Sequence, residues 1–292
     1  MSEANVSKKR MFFLYRLWNT DGLAQRKTVT FGDPAAVQGG AIWGVLSVLT
    51  TALIWQLVSM AEIVSPLFWP SPQAVWNKFV LIATEGYKGF TLAEHLGISL
   101  YRVLAGFGLG CLLGIPVGLG MGLNKVIKGW MDPLIEFYRP VPPLAYVPLV
   151  IIWMGIGDSG KVLLLFLATF SIIVISARAG VASVAIEKIH AAYSLGASRW
   201  QILRHVILIN ALPEIFTGMR VAMGVCWGTL VAAEMVAATS GVGWMVLNAS
   251  RYLNTDIVLM GVILMGVVGF MIDLCMRRLE QKLIPWKSKG RG

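Results

Sequence analysis

Ala41 to Ala61 contains no ionisable residue. At about 1.5 Å per residue in an α-helix, a run of that length crosses the roughly 30 Å of hydrocarbon in a bilayer. Five further runs of similar character follow, at about Ile98 to Leu123, Pro133 to Ile156, Lys161 to Val181, Glu214 to Ala237 and Thr255 to Met276. So much apolar surface cannot be hidden inside one water-soluble core. Hydrophobic residues make up 57% of the chain, charged residues only 14%, and the mean hydropathy is +0.71. The chain is predicted to be an all-α membrane protein of six transmembrane helices. An N-terminal segment 1–40 precedes a membrane domain at 41–280, and a tail occupies 281–292.

The formal net charge of +10 could point to nucleic acid, but the basic residues gather at the edges of the apolar runs instead of interleaving with aromatics. Topology accounts for them better. Placing the N-terminus inside puts eighteen Lys and Arg on the inner pieces and only Lys78, Lys88, Lys161 and Arg251 on the outer ones. Because Lys and Arg near span ends are retained on the cytoplasmic side, both termini and the connection 182–213 are predicted to be cytoplasmic. Lys8-Lys9-Arg10 is followed by an apolar stretch, Met11 to Leu14, too short for a signal-peptide core, so the N-terminus is expected to be retained. Cys111, Cys226 and Cys275 are odd in number and lie within apolar runs. They fit neither a disulfide framework nor a metal site.

Two spans have unusual local chemistry. Gly106, Gly110, Gly114, Gly118 and Gly122 recur every four residues, which strips side chains from one helix face and lets another helix approach closely. Pro140, Pro142, Pro143 and Pro148 remove backbone donors from the third run, so a broken or strongly kinked helix is expected there. The mixed stretches Glu62 to His95 and Thr239 to Asp256 are long enough for short interfacial helices.

Catalytic motifs are missing. No GxSxG, HExxH or grouping of Cys, His and a third residue occurs, so the chain alone is not expected to be an enzyme or to hold a metal or cofactor. Gly155 to Lys161 fits GxxxxGK, but Val162 stands where a hydroxyl should reach magnesium, and the stretch follows a proline-broken segment rather than a strand. Ionisable residues within spans are costly in lipid and call for a role. Glu234 is either a pathway or gate residue, or an acceptor buried against Arg102, Arg139 or a backbone amide. Asp273 has Arg277 one turn on and reads as an i,i+4 pair. Arg139, in Tyr138-Arg139-Pro140, either clamps carbonyls freed by the prolines or offers its guanidinium to a passing anion. His95 and His205 are expected at an interface or on the surface.

The polar connection reads HAAYSLGASRWQILRHVILINALP from His190 to Pro213. Gly196 interrupts a first helix, and Ser198 is a good N-cap for a second over Arg199 to Leu208. With Arg199, Arg204 and His205 it suggests a surface built to meet a soluble partner. This stretch resembles the cytoplasmic motif of the inner-membrane permeases of binding-protein-dependent ABC importers. That motif runs Glu-Ala-Ala, three residues, Gly, nine residues, then Ile-x-Leu-Pro. Ala191, Ala192 and Gly196 match, Val206 stands for the Ile, and Leu208 matches the Leu. His190 replaces the Glu and Ile209 the Pro, while Leu212-Pro213 lies four residues on, as in the taurine, sulfonate and nitrate branch. Pro66 to Pro72, Tyr138 to Ala145, Trp153 to Gly157, Pro213 to Gly218 and Leu230 to Met235 extend the likeness, which runs from about Leu67 to Trp286.

The resemblance implies a type I ABC importer permease fold in a bacterial inner membrane. It implies partners too: a second permease copy, which the glycine series could meet, two ATP-binding subunits that hold ATP and magnesium on the cytoplasmic side, and a periplasmic binding protein. The coupling loop would be carried by His190, Ala191, Ala192, Gly196, Ala197, Ser198, Arg199 and Leu208. Taurine or a related alkanesulfonate would be moved inward by alternating access, with Arg139 and Glu234 as candidate pathway residues. The competing expectation is a secondary transporter driven by an ion gradient through Glu234 or Asp273, although the two halves show no convincing repeat.

Overall fold

The structure is a computed structural model and describes residues 41–286. Expectations for 1–40, and for the tail beyond 286, lie outside the described residues. The chain divides into two compact units, Met1–Ile54 and Trp55–Gly292. In the first unit the described part is the opening of a helix, α1 (Ala41–Met60).

The second unit holds the remaining helices. These are α2 (Pro72–Glu85), α3 (Leu92–Leu123), α4 (Lys125–Tyr138), α5 (Val147–Met154), α6 (Asp158–Ala182), α7 (Ile186–Ser194), α8 (Arg199–Ala237), α9 (Val242–Arg251) and α10 (Thr255–Leu283). Among the described residues there is no strand, and five helices are long and apolar enough to cross a membrane: α1, α3, α6, α8 and α10. The third predicted run differs from the others. It is divided among the end of α4, a 3₁₀ turn at Pro143–Tyr146 and the short α5, because the prolines there remove hydrogen-bond donors one after another. The stretches between spans expected to carry short helices hold α2 and α9.

Helix starts follow local chemistry. Thr91 caps α3 in a reciprocal box with Glu94: the Thr91 hydroxyl accepts from the Glu94 amide at 3.2 Å and the Glu94 carboxylate accepts from the Thr91 amide at 2.7 Å. Ser71 caps α2 ahead of Pro72, whose missing amide would have been an orphan in any case.

The tightest packing joins α3 to α6. A Cβ on Gly114 would lie 3.0 Å from Ile173, one on Gly118 2.7 Å from the Ala177 Cβ, and one on Gly122 2.6 Å from the Val181 Cβ. Gly106 and Gly110 are equally closed by Leu165 and Thr169. The glycine face is therefore spent within one chain, where it lets two helices pack backbone against backbone. Around that seam Val103, Phe107, Leu165, Ile173, Ala222, Met223, Cys226 and Leu230 form the main core. Many large apolar side chains face outward instead, among them Leu104, Leu112, Val221, Val262 and Phe270, as a bundle dissolved in lipid requires.

Candidate functional site

The connection 182–213 folds as a compact helical corner. Helix α7 ends at Ser194, and Gly196 turns the chain with φ +79. The Gly196 amide donates to the Tyr193 carbonyl at 2.9 Å and the Ala197 amide to the Ala192 carbonyl at 3.1 Å, which closes the end of the helix. Ser198 then caps α8. Its hydroxyl accepts from the Gln201 amide at 3.3 Å, and the Gln201 side chain accepts from the Ser198 amide at 2.8 Å. Ala192, Ala197, Leu203 and Val206 pack beneath the corner on Val181, Ile202 and Ile207, while His190, Ala191 and Arg199 stay exposed. Tyr193, Leu195 and Trp200 stand out around the turn, with Leu195 88% exposed, so the corner presents an apolar knob rimmed by basic groups.

One expectation needs correction here. The second helix does not stop at Leu208. It runs from Arg199 through a π-helical segment at Ile202–Ile207 and past Leu212-Pro213 to Ala237. Pro213 lacks only one amide donor, and the packing of Ala211, Ile215 and Phe216 keeps the helix continuous across it. Leu208 thus sits half-buried in the shaft of a long helix rather than at the end of a short one.

At the other end of α8 lies a buried polar network. Glu234 is fully buried and Arg102 is 2% exposed. The Arg102 Nη1 donates to Glu234 Oε1 at 2.6 Å and to the Ser240 carbonyl at 2.9 Å, while Nε and Nη2 both donate to Asp158 Oδ1, at 2.8 and 2.6 Å. The Ser99 hydroxyl donates to Glu234 and accepts from the Val242 amide at 3.0 Å. The Gly243 amide, at the start of α9, donates to Glu234 Oε2 at 2.9 Å. A buried carboxylate facing a guanidinium, a hydroxyl and a helix N-terminus has its charge compensated on every side. Gly241 adopts φ +111 directly over Glu234, a backbone path open to glycine.

His95 is buried, not interfacial. Its Nδ1 accepts from the Gly241 amide at 3.1 Å, so Nε2 carries the proton donated to the Tyr87 carbonyl at 3.2 Å. Nearby, burial raises the Tyr87 phenol above its ordinary pKa, with Tyr252 adding to it, and its hydroxyl donates to Asn248 at 2.9 Å. Sequence reasoning missed Asp158, Ser99, Ser240 and His95 as members of this network. The available signal was that two ionisable residues in apolar spans must each find partners.

The GxxxxGK stretch has a structural occupation. It joins α5 to α6, and Lys161 donates to its own loop carbonyls, Ile156 at 2.9 Å and Gly157 at 3.2 Å. Several other charges in the bundle are paired. Asp273 accepts from Arg277 at 2.7 Å and lies 3.4 Å from Arg220, which also reaches Glu280 at 3.2 Å; Arg178 pairs with Asp132. Arg139 is not brought to Glu234. It caps α4 in helical geometry and is exposed. Among the described residues no group of His, Cys, Asp and Glu could hold a metal ion.

Residues 110–285 match the model of the family described as binding-protein-dependent transport system inner membrane component. The chain is 50% identical over 247 residues to the taurine transport system permease protein TauC of Escherichia coli, a match spanning 84% of this chain and 89% of that protein. It is 34% identical over 259 residues to a putative aliphatic sulfonates transport permease protein, SsuC, of Bacillus subtilis, spanning 89% and 92%. Among solved structures, a chain of the MetNI methionine ABC transporter in an inward-facing conformation aligns with TM-score 0.58 at 18% identity, over 65% of this chain and 95% of that one. At that identity the likeness concerns the fold.

Proposed function

The chain belongs to the family of binding-protein-dependent transport system inner membrane components, and from that premise we propose that it is the permease subunit of an ATP-driven importer for taurine or a related alkanesulfonate. Identity to taurine and aliphatic sulfonate permeases supports the substrate class. The chain sits in a bacterial inner membrane with both termini cytoplasmic. The broken segment from the end of α4 through α5 completes six crossings. A second copy, two ATP-binding subunits carrying ATP and magnesium, and a periplasmic binding protein complete the assembly.

One observation carries the mechanism. The corner at Gly196 leads into a single helix from Arg199 to Ala237. The apolar knob of Tyr193, Leu195 and Trp200 gives a soluble ATPase something to grip, and the capped start of α8 fixes the corner to the shaft. A shift of the corner is then delivered along about 58 Å of helix to the end that holds Glu234. Closure of the ATPase dimer on ATP moves the corner and opens the bundle outward; hydrolysis resets it. With His190 in place of an acidic residue, docking rests on shape around Ala191, Ala192 and Gly196 rather than on a carboxylate ion pair. Arg139, exposed at the break after α4, is the pathway cation for a sulfonate. Glu234 acts as a structural acceptor.

Gly196→Val forces a β-branched residue into φ +79. In proteoliposomes with the ATPase and binding protein, ATP hydrolysis should continue while uptake falls by about tenfold or more. Uptake that stays coupled at the wild-type ratio would refute the lever. A gradient-driven mechanism is disfavoured because Glu234 and Asp273 are both held by guanidinium groups, which leaves neither carboxylate poised to exchange a proton or sodium.

A further inference from the structure

Three helices sort their polar and apolar residues into two adjoining cavities. An apolar groove of about 380 Å³ is lined by Trp55 of α1, Val75 and Phe79 of α2, and Met260, Ile263 and Val267 of α10. A second cavity of about 320 Å³ is lined by Ser59 of α1, by Ser71 and Ala74 at the start of α2, and by Asn254 and Asp256 at the start of α10. Trp55 and Ser59 lie one turn apart, as do Asp256 and Met260, and the Trp55 indole donates to the Pro70 carbonyl at 3.0 Å between them. In all three helices the polar lining is on the side of the connections 61–71 and 252–254, and the apolar lining is farther along. A ligand that fills both cavities therefore has one polar end and one apolar end. From Asp256 to Val267 the axis of α10 rises about 17 Å, close to half of the roughly 30 Å hydrocarbon layer, which is the share of one lipid chain.

The polar cavity holds groups left without partners. The Ser59 hydroxyl is buried and has no hydrogen-bond partner among the described residues. Thr51, in the same helix, donates to the carbonyl four residues back at 2.9 Å, the usual resort of a helical hydroxyl. Ser59 does not, and a buried hydroxyl left unpaired calls for a ligand atom. One Asp256 oxygen accepts from the Ile257 amide at 2.8 Å. The other lies 3.7 Å from the Lys78 ammonium, wider than a hydrogen bond, so each charge keeps hydrogen-bonding capacity. Lys78 stands one turn beyond Ala74 on the α2 face that lines the polar cavity.

We propose that these cavities bind one phospholipid with a primary ammonium headgroup. One acyl chain fills the groove, Lys78 and Ser59 donate to the phosphate, and Asp256 accepts from the ammonium. A carboxylate beside a lysine suits a zwitterion, whereas an anionic lipid would leave Asp256 facing like charge. The site depends on the chain lying in a membrane and is independent of what it transports.

The test is lipid competition on the full-length permease in detergent, read by native mass spectrometry. Phosphatidylethanolamine, phosphatidylcholine and phosphatidylglycerol with identical chains are offered together. The wild type should retain one ethanolamine lipid per chain, about tenfold over either of the others, the worth of one charge-assisted hydrogen bond. Asp256→Asn keeps an oxygen for the Ile257 amide and should bring the three lipids near parity. Ile263→Trp fills the groove and should lower retention of all three by about tenfold or more, while Ile263→Val should not. Monodisperse elution and an unchanged unfolding temperature identify folded variants, and Val267→Phe replaces Ile263→Trp if the latter does not fold. Equal retention that neither groove variant lowers means surrounding lipid only and overturns the site. So does an ethanolamine preference that survives Asp256→Asn. A wild type that retains no lipid, with Ile263→Trp changing the number of permease copies per particle, means that a second copy fills the groove and also overturns it.

Discussion

At the residue scale, the network around Glu234 shows what a charge in an apolar bundle demands. Glu234→Ala would strand the Arg102 guanidinium with Asp158 as its sole carboxylate partner. Removing one member of a buried pair commonly costs about 3–5 kcal/mol. We expect a matching fall in resistance to denaturant in detergent, and a smaller one when Arg102→Met accompanies Glu234→Leu, because no buried charge is then orphaned. A single variant no less stable than the double would contradict this account. Little of the network could be read along the chain. The sequence offered Arg102 as one partner for Glu234, beside Arg139 and a backbone amide, but what selects it is a contact that spans 132 residues of sequence. Asp158 was hidden inside a stretch that mimics a phosphate loop. His95 looked like a surface residue because nothing local shows that the Gly241 amide closes over it.

At the scale of elements, periodicity was the more reliable guide. The four-residue glycine spacing marked the α3 face that meets α6, and the proline cluster marked the break between α4 and α5. The length of α8 escaped, since Leu212-Pro213 looks like a terminus and only tertiary packing carries the helix across it. The packing makes a paired prediction. Gly118→Leu would drive a side chain into the backbone of α6 and should lower stability by about 1–3 kcal/mol or abolish folded yield. Gly108→Ala on the open side, where a Cβ meets nothing within 4 Å, should be neutral or stabilising by up to about 1 kcal/mol through helix propensity. Thermal unfolding of the two variants checks both, and equal effects would mean that the glycine face is not what seats the helices.

At the scale of the whole molecule, the GxxxxGK stretch is held by its own lysine, and in the proposed importer the energy enters through the ATP-binding partners. Uptake into vesicles should persist when the proton and sodium gradients are collapsed with ATP maintained, and should stop when ATP is removed with the gradients intact. The opposite pattern would restore a gradient-driven mechanism. The proposed mechanism routes that energy through the corner at Gly196, where a Cβ would touch nothing within 4 Å. Crowding therefore does not require the glycine; handedness does. An L-residue at φ +79 costs roughly 1–2 kcal/mol, whereas its mirror image prefers that conformation. A permease assembled by semisynthesis with D-alanine at position 196 should couple as well as the natural chain, and one with L-alanine should not. The corner is thus a test of chirality rather than of size.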